Sequence, residues 1–332
     1  MIQRLDSRNG PGDASTVLHR KAGNQSIAQL VHTLGSSLRS QYGERIHKIA
    51  LDAGFTCPNR DGSKGRGGCT FCNNESFSPN EGLKASIPRQ LYEGKQVIAH
   101  RTGARRYLAY FQAYSNTWDT LERLRAMYDQ ALADPDVIGI SVGTRPDCLG
   151  HGVLELLRGY QDAGKVVWLE LGLQSAFDAT LERVNRGHTA AEYFEAAQAA
   201  RALGLKVCTH LILGLPGETP DHWQSTHAQV LAVGTDGLKF HPLHVVQGSL
   251  LARDWRRGEF TALALDQYAT AVADLLELTP PETVIHRLTG TASLDVLLAP
   301  AWCNWKWKVI NAIEQELRRR GTRQGSAWTG TA

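Results

Sequence analysis

Residues 57–72, "CPNRDGSKGRGGCTFC", gather Cys57, Cys69 and Cys72, three of the six cysteines in a chain of 332 residues. Cys69 and Cys72 form a CxxC pair, and residues 58–68, rich in Gly, Lys and Arg, separate them from Cys57. Three readings compete for such a set. A buried cysteine is often a small hydrophobe, but the Gly, Asn, Lys and Arg around Cys57 and Cys69 make no core. A structural zinc ion takes four ligands, commonly from two close pairs. Here there is one pair and one single, with Cys148, Cys208 and Cys303 isolated, so zinc would need His47 or His100 as a fourth ligand. A [4Fe–4S] cube normally takes four thiolates; three would leave one iron open to a small molecule. The glycines allow backbone N–H groups to approach the sulfides, and Phe71, between the paired cysteines, can cover one side from water.

The bulk of the chain is that of an ordinary globular protein, 42% apolar and 21% charged. Six unevenly spaced cysteines do not make a disulfide framework; a reducing cytoplasm and cysteines used for chemistry fit better. No apolar run approaches the ~20 residues of a membrane helix, and the N-terminal residues lack the apolar core of a secretory signal. The expected location is therefore cytoplasmic, with no membrane partner. A net charge of +3 is too small to argue for nucleic acid by itself, so that case must rest on local patches.

The elements that must position the cysteines alternate. Apolar strand-like runs occur at 46–53, 106–112, 137–143, 166–174, 206–214 and 237–246, with amphipathic stretches between them. Six such βα repeats predict a parallel sheet covered by helices. In open sheets and barrels alike, chemistry collects at the carboxyl ends of the strands. The cysteine loop, "AYSNT", "GTRPDC", "QS", "GLPGET" and "HPLH" all fall there, which favours a partial barrel whose mouth they ring. A further run at 283–290 predicts an edge strand. The spacing of Trp305, Val309, Ile313 and Leu317 predicts an amphipathic closing helix with these four on its buried side. The expected organisation is a loose N-terminal extension (1–40), a core barrel (41–250), a C-terminal extension packing on it (251–320) and a disordered tail (321–332).

The cysteine loop is similar to the cluster loop of radical S-adenosylmethionine (SAM) enzymes. Its wide first spacing resembles the Elongator catalytic subunit branch, and "LDAGFTCPNRDG…GGCTFCN" is especially similar to the bacterial YhcC-type subgroup. The likeness runs from about residue 40 to 320 through "YFQAYSNTW", "GTRPDCL", "LELGLQS", "NRGH", "GLPGET" and "WCNWKW". It implies an α/β fold, a partial (β/α)6 TIM-like barrel with a C-terminal helical extension. It implies that Cys57, Cys69 and Cys72 hold a [4Fe–4S] cluster and that SAM chelates the fourth iron. Reductive cleavage of SAM then gives a 5′-deoxyadenosyl radical that abstracts hydrogen, with a reductant such as flavodoxin or ferredoxin supplying the electron.

Within that resemblance, Gln174 matches a glutamine that hydrogen-bonds the SAM ribose, and Arg186 an arginine that holds the methionine carboxylate. Ile212 and Gly214 stand where related enzymes run backbone along the adenine. Glu170 and Gln174 lie four apart on one strand and so share a face; Glu170 is a candidate ligand contact or a partner of Lys239. Departures are visible too. The motif that meets the SAM amino group is replaced by "FQAYSNT", where Gln112, Tyr114, Asn116 and Thr117 are candidates. Gly143 stands where an acid is expected, and His210 replaces an acidic ribose contact.

Tyr114, Cys148, His241 and His244 are candidates for the catalytic role, and Arg145 and Asp147 share their predicted position at the mouth. Each has a structural alternative, such as helix capping by Asp147 or inert burial of Cys148. Lys306, Lys308, Arg318, Arg319, Arg320 and Arg323 accompany Trp302, Trp305 and Trp307, a mixture able to hold RNA by phosphate contact and stacking. The Elongator likeness favours tRNA modification. No acetyltransferase domain is expected, because the chain ends soon after the barrel. Two other readings stand beside this one: the same radical chemistry on a small metabolite or protein, and a zinc-dependent RNA-binding module without it. The oligomeric state is not legible.

Overall fold

The structure, a computed structural model, describes residues 26–73 and 85–330. Its strands are β1 (Ile46–Leu51), β2 (Arg106–Phe111), β3 (Val137–Thr144), β4 (Val166–Gln174), β5 (Lys206–Leu213), β6 (Gly237–Pro242), β7 (Val245–Val246), β8 (Val284–Arg287) and β9 (Leu297–Ala299). Seven of them form one parallel sheet in the order β1-β2-β3-β4-β5-β6-β8, and β7 pairs with β9 in a separate antiparallel ribbon. The large sheet curls into a half-barrel. Six βα units are therefore present as the sequence predicts, and the 283–290 run supplies the seventh strand.

Ten helices are described: α1 (Leu34–Tyr42), α2 (Ile87–Thr102), α3 (Leu121–Leu132), α4 (Val153–Asp162), α5 (Asp178–Arg183), α6 (Ala190–Ala202), α7 (Pro220–Val233), α8 (Leu250–Arg256), α9 (Leu265–Leu278) and α10 (Lys306–Arg320). Their starts are written in the sequence. Thr120 caps α3 by accepting from the Arg123 N–H, and Thr189 with Glu192 forms a capping box on α6. None of the described helices is long and apolar enough to cross a membrane.

Strand alternation builds the interior in layers. At the strand beginnings, Ile46, Leu108, Ile138, Trp168, Cys208 and Val284 form an apolar floor that Leu34 and Leu38 of α1 plug from below. The next inward positions are polar: Lys48, Tyr110, Ser141, Glu170, His210, Lys239 and His286 meet one another directly. Above them lies open space.

Three expectations from the sequence do not hold. The loose extension through residue 40 is ordered from residue 26 onward. Ile285 N–H donates to His32 O at 2.8 Å beside β8, and α1 follows with its cap on Thr33. The disordered tail is likewise a clasp through residue 326. Buried Gln324 donates to the carbonyls of Pro280 (2.7 Å) and Thr283 (2.8 Å) and accepts from His32 N–H (2.9 Å). Both expectations also cover residues 1–25 and 331–332, which lie outside the described residues. Finally, α10 buries Val309, Ile313 and Leu317 fully, but Trp305 precedes the helix and is 55% exposed. Trp302 takes the core position instead, donating from Nε1 to Leu263 O at 2.9 Å.

Candidate functional site

The strand ends open on a cavity of about 810 Å³. Cys57, Cys69 and Cys72 all line it. Cys57 follows β1, and the loop then folds back on itself, with Arg60 N–H donating to Cys57 O at 2.8 Å and Gly68 N–H to Asn59 O at 2.8 Å. Thr70 is pinned by backbone bonds to Val184 and Leu251, so Phe71 packs with Val184, Leu215 and Leu243 and closes one side. Hydrogen-bond donors surround the thiols. Arg186 Nη1 lies 3.5 Å from the Cys69 sulfur, Asn59 Nδ2 3.9 Å from the same atom, and Arg60 Nη1 3.8 Å from the Cys72 sulfur. Burial, and then the neighbouring Cys69, push the Cys72 thiol up to about 12. Neither His47 nor His100 lines the cavity, so the histidines named for a zinc site are not brought to these cysteines.

The strand ends are held in unusual conformations. Among the described residues other than glycine, positive φ occurs at Tyr114 (59°), Gln174 (79°) and Asn185 (48°). Such backbone persists where surroundings impose it and concentrates at functional sites. Tyr114 and Gln174 line the cavity. Asn185 donates from its side chain to Gly68 O (2.8 Å), tying the cysteine loop to the turn that carries Arg186. Arg186 then reaches Gly172 O (2.6 Å) at the end of β4. A Cβ at position 172 would lie 2.7 Å from both the Arg186 Nη2 and the Gln174 amide nitrogen, so glycine is what lets these two side chains converge.

A second brace comes from "GTRPDC". Arg145 and Asp147 form a buried pair, with Nε to Oδ1 at 2.9 Å. Arg145 also donates to the carbonyls of Arg186 (2.6 Å) and Gly187 (2.9 Å), and Lys64 of the cysteine loop reaches Asp147 (3.0 Å). The pair therefore joins the third strand end, the cysteine loop and the Arg186 turn. "QS" and "GLPGET" are joined in the same way, by Ser175 donating to Glu218 at 2.5 Å.

Beneath the cavity, fully buried Glu170 accepts from Lys48, Lys239 and Ser141, and from His210 at 2.8 Å. Burial favours the neutral acid, but the Lys239 and Lys48 ammonium groups outweigh it and hold Glu170 well below the usual carboxylate range. Burial, and then Lys239, lower His210 to about 4, so its ring is neutral at physiological pH. Lys239 also donates to the Tyr110 hydroxyl at 3.0 Å, and Tyr110 lines the cavity.

The structure sorts the sequence candidates. Gln112, Tyr114, Gln174, Arg186, His210 and Ile212 line the cavity with the three cysteines, and so do His241 and His244. Five candidates do not. Thr117 is buried, its hydroxyl donating to Cys148 O at 2.7 Å. Glu170 sits one layer lower, as the partner of Lys239. Asn116 is buried, with its amide donating to Ala113 O and Gly143 O at 2.8 Å each, so it shapes the loop after β2. Gly214 lies outside the lining and faces Leu263. Cys148 is 1% exposed, and burial and Asp147 push its thiol up to about 12, the state of an inert cysteine. Reading the sequence missed Lys48, Tyr110, His286 and Arg287. A lysine at an inward position of an apolar strand is the signal that could have found the first.

The sequence pattern described as the radical SAM superfamily matches residues 57–230, and that of the Radical_SAM C-terminal domain matches residues 235–319. The chain is 46% identical over 301 residues to protein YhcC of Escherichia coli K12, covering 91% of this chain and 96% of that protein. It is 31% identical over 154 residues to the tRNA uridine(34) acetyltransferase of Dehalococcoides mccartyi, but spans only 33% of that protein. The solved structure of archaeal Methanocaldococcus infernus Elp3 shares its fold, with a TM-score of 0.59 at 17% identity over 84% of this chain and 64% of that one. The cysteine loop, the half-barrel and these relationships agree: the chain belongs to the radical SAM superfamily, in the Elongator-like branch and YhcC-type subgroup, and is an enzyme whose cofactors are a [4Fe–4S] cluster and S-adenosylmethionine.

Proposed function

We propose that the protein modifies RNA, with tRNA as the substrate class, and that Cys57, Cys69 and Cys72 hold its cluster. The donor set fits the cluster: three thiols share one cavity, with Asn59, Arg60 and Arg186 directing N–H groups at two of the sulfurs. When bound, the cluster supplies the electron that cleaves SAM to a hydrogen-abstracting radical, drawn in turn from a donor such as flavodoxin or ferredoxin. The protein's own residues do the positioning. Arg186, whose nitrogens already bond His188, Cys69 and Gly172, offers its charge and its remaining N–H groups to the methionine carboxylate, Gln174 an amide to the ribose, and the backbone at Ile212 an edge to the adenine. Gln112 and Tyr114 stand at the end of β2 for the amino group. Phe71 and Leu243 exclude water from the cysteine side. The working location is the cytoplasm, where reduced cofactors and RNA are both present.

The observation that carries the RNA reading is an exposed basic and aromatic surface at the start of α10. Trp305 (55%) and Trp307 (65%) are exposed, with Lys308 over the first ring at 5.1 Å and Lys306 over the second at 5.7 Å. Alternating exposed rings and ammonium groups suit stacked bases and their phosphates. Lys306 lies near enough to Arg287 for the two charges to repel, and Arg287 lines the cavity. The relative named as a tRNA uridine(34) acetyltransferase supports the same substrate class, while the share of it matched gives no ground for carrying over acetyl transfer.

The test is to incubate the reconstituted enzyme with SAM, reductant and bulk tRNA, then measure 5′-deoxyadenosine and the mass of digested nucleosides. Deoxyadenosine release that rises with tRNA, together with a shifted nucleoside, is the expected result. SAM cleavage indifferent to RNA, with no altered nucleoside, would move the chemistry to a small metabolite or protein.

A further inference from the structure

The β6–β8 side of the cavity holds positive charge that no acid among the described lining residues balances. Among the described residues lining the cavity none is Asp or Glu. Three of its four arginines are committed: Arg60 to Cys72, Arg145 to Asp147, and Arg186 to Gly172 and Cys69. Arg287, the last residue of β8, is exposed and makes no hydrogen bond or ion pair among the described residues. It pairs in register with Lys239 of β6, so His241, two residues further along β6, stands above Lys239 on the same face. His244 completes the group. A Cβ at Gly290 would lie 2.8 Å from His241 Nδ1 and 3.0 Å from His244 Cε1, so the loop after β8 is drawn tightly against both rings. Burial, and then Arg287, keep His241 neutral, leaving it an N–H to donate. Below them, Lys48 and Lys239 share the single carboxylate of Glu170. A positive field without an acid in the wall attracts an anion.

We propose that Arg287 and His241 form an oxyanion subsite, separate from the position of Arg186, that holds an acidic group on the substrate. For the RNA substrate proposed above, that group is a phosphate of the nucleotide entering the cavity, and to this extent the inference rests on that reading. Arg287 supplies the charge and a fork of donors, and the His241 imidazole supplies a neutral N–H that orients the group; His244, whose own N–H is held by the Gly290 backbone, packs beside them.

The test is equilibrium binding to the full-length, cluster-loaded protein, with uridine 5′-monophosphate, inorganic phosphate, succinate and uridine as probes. The variants are Arg287→Gln, Arg287→Lys, and Arg101→Gln as an exposed control on α2. Cluster content and thermal unfolding establish that each is folded. A charge-assisted contact predicts that the monophosphate binds about tenfold or more tighter than uridine, that Arg287→Gln removes this advantage, and that Arg287→Lys and Arg101→Gln retain much or all of it. Equal binding of monophosphate and uridine, or an advantage that survives Arg287→Gln, overturns the subsite. If phosphate and succinate both bind through Arg287 while the nucleoside adds nothing, the subsite stands and the RNA reading falls.

Discussion

Arg186 Nη1 lies 3.5 Å from the Cys69 sulfur while Nη2 of the same side chain donates to Gly172 O at 2.6 Å. One guanidinium thus spans the cysteine loop and the end of the fourth strand, and its position is set from behind by Arg145, which donates to the Arg186 carbonyl. The cluster and the SAM carboxylate are tied to one group in this account.

Arg186→Gln therefore acts on both. Iron content is expected to stay near that of the parent, because no thiol is lost. SAM affinity is expected to fall by about tenfold or more, the scale of a lost charge-assisted bond. The cluster's midpoint potential is expected to move to more negative values, since a cation beside a thiolate favours the electron-rich state. Isothermal titration with SAM and a redox titration followed by electron paramagnetic resonance check the two effects. Loss of neither would separate Arg186 from the site.

Glu170→Gln removes the carboxylate that two buried ammonium groups share. Breaking a buried ion pair from one side costs about 3–5 kcal/mol, because the remaining charges stay desolvated. Urea denaturation of the variant is expected to show a loss of that order. A loss below about 1 kcal/mol, the range of an exposed pair, would mean that the layer is wetter than its burial indicates.

Acid sensitivity follows from buried histidines. His227 and His244 are each lowered by burial to about 4, against 6.5 when unperturbed. Between these values the unfolded chain binds protons that the folded one refuses, so stability rises with pH there. It is expected to be level above about pH 6.5 from this source and to fall on acidification toward pH 4. His227, held by Thr279 at 2.8 Å, lies away from the cavity, so His227→Gln is expected to flatten the fall without changing SAM binding. Denaturation midpoints across this range decide it; an equally steep fall in the variant contradicts the assignment.

Much of this site is legible in the sequence, and what is not has a physical cause. The cysteines stand out by their spacing after an apolar strand, and strand ends converge in a parallel half-barrel. Gln174 and Arg186 are legible only through the family resemblance, and Arg186 by itself reads as a residue at a helix end. Period-two alternation shows that Glu170 faces inward but not how deep it lies, and depth makes it the partner of Lys48 and Lys239. Lys48 and His286 escape notice because a strand of four or six residues carries little pattern. The clasp between Gln324 and His32 escapes for another reason: side-chain bonds to backbone leave no periodic trace. Helical spacing placed Trp305 in the core, yet the helix begins one residue later and leaves that ring exposed.

Trp305→Ala and Trp307→Ala are expected to leave folding intact, since both rings are exposed, and to weaken tRNA binding. A stacked base contributes about 1–3 kcal/mol, so each variant is expected to lose several-fold to about a hundredfold in affinity. Fluorescence anisotropy with labelled tRNA measures it. Unchanged affinity in both would remove this surface from the RNA path. The basic end of α10 is not expected to contribute comparably, because Arg318, Arg319 and Arg320 already pair with Glu314, Glu316 and Asp274.

The central claim is that three thiolates, and no fourth protein ligand, hold a cluster that cleaves SAM. The direct measurement is iron, sulfide and zinc content together with 5′-deoxyadenosine release under dithionite, for the parent protein and for Cys57→Ala and Cys148→Ala. The account predicts about four irons per chain and SAM cleavage in the parent, both lost in Cys57→Ala and both kept in Cys148→Ala. A colourless protein that holds one zinc and releases no deoxyadenosine, even after anaerobic reconstitution, would contradict it.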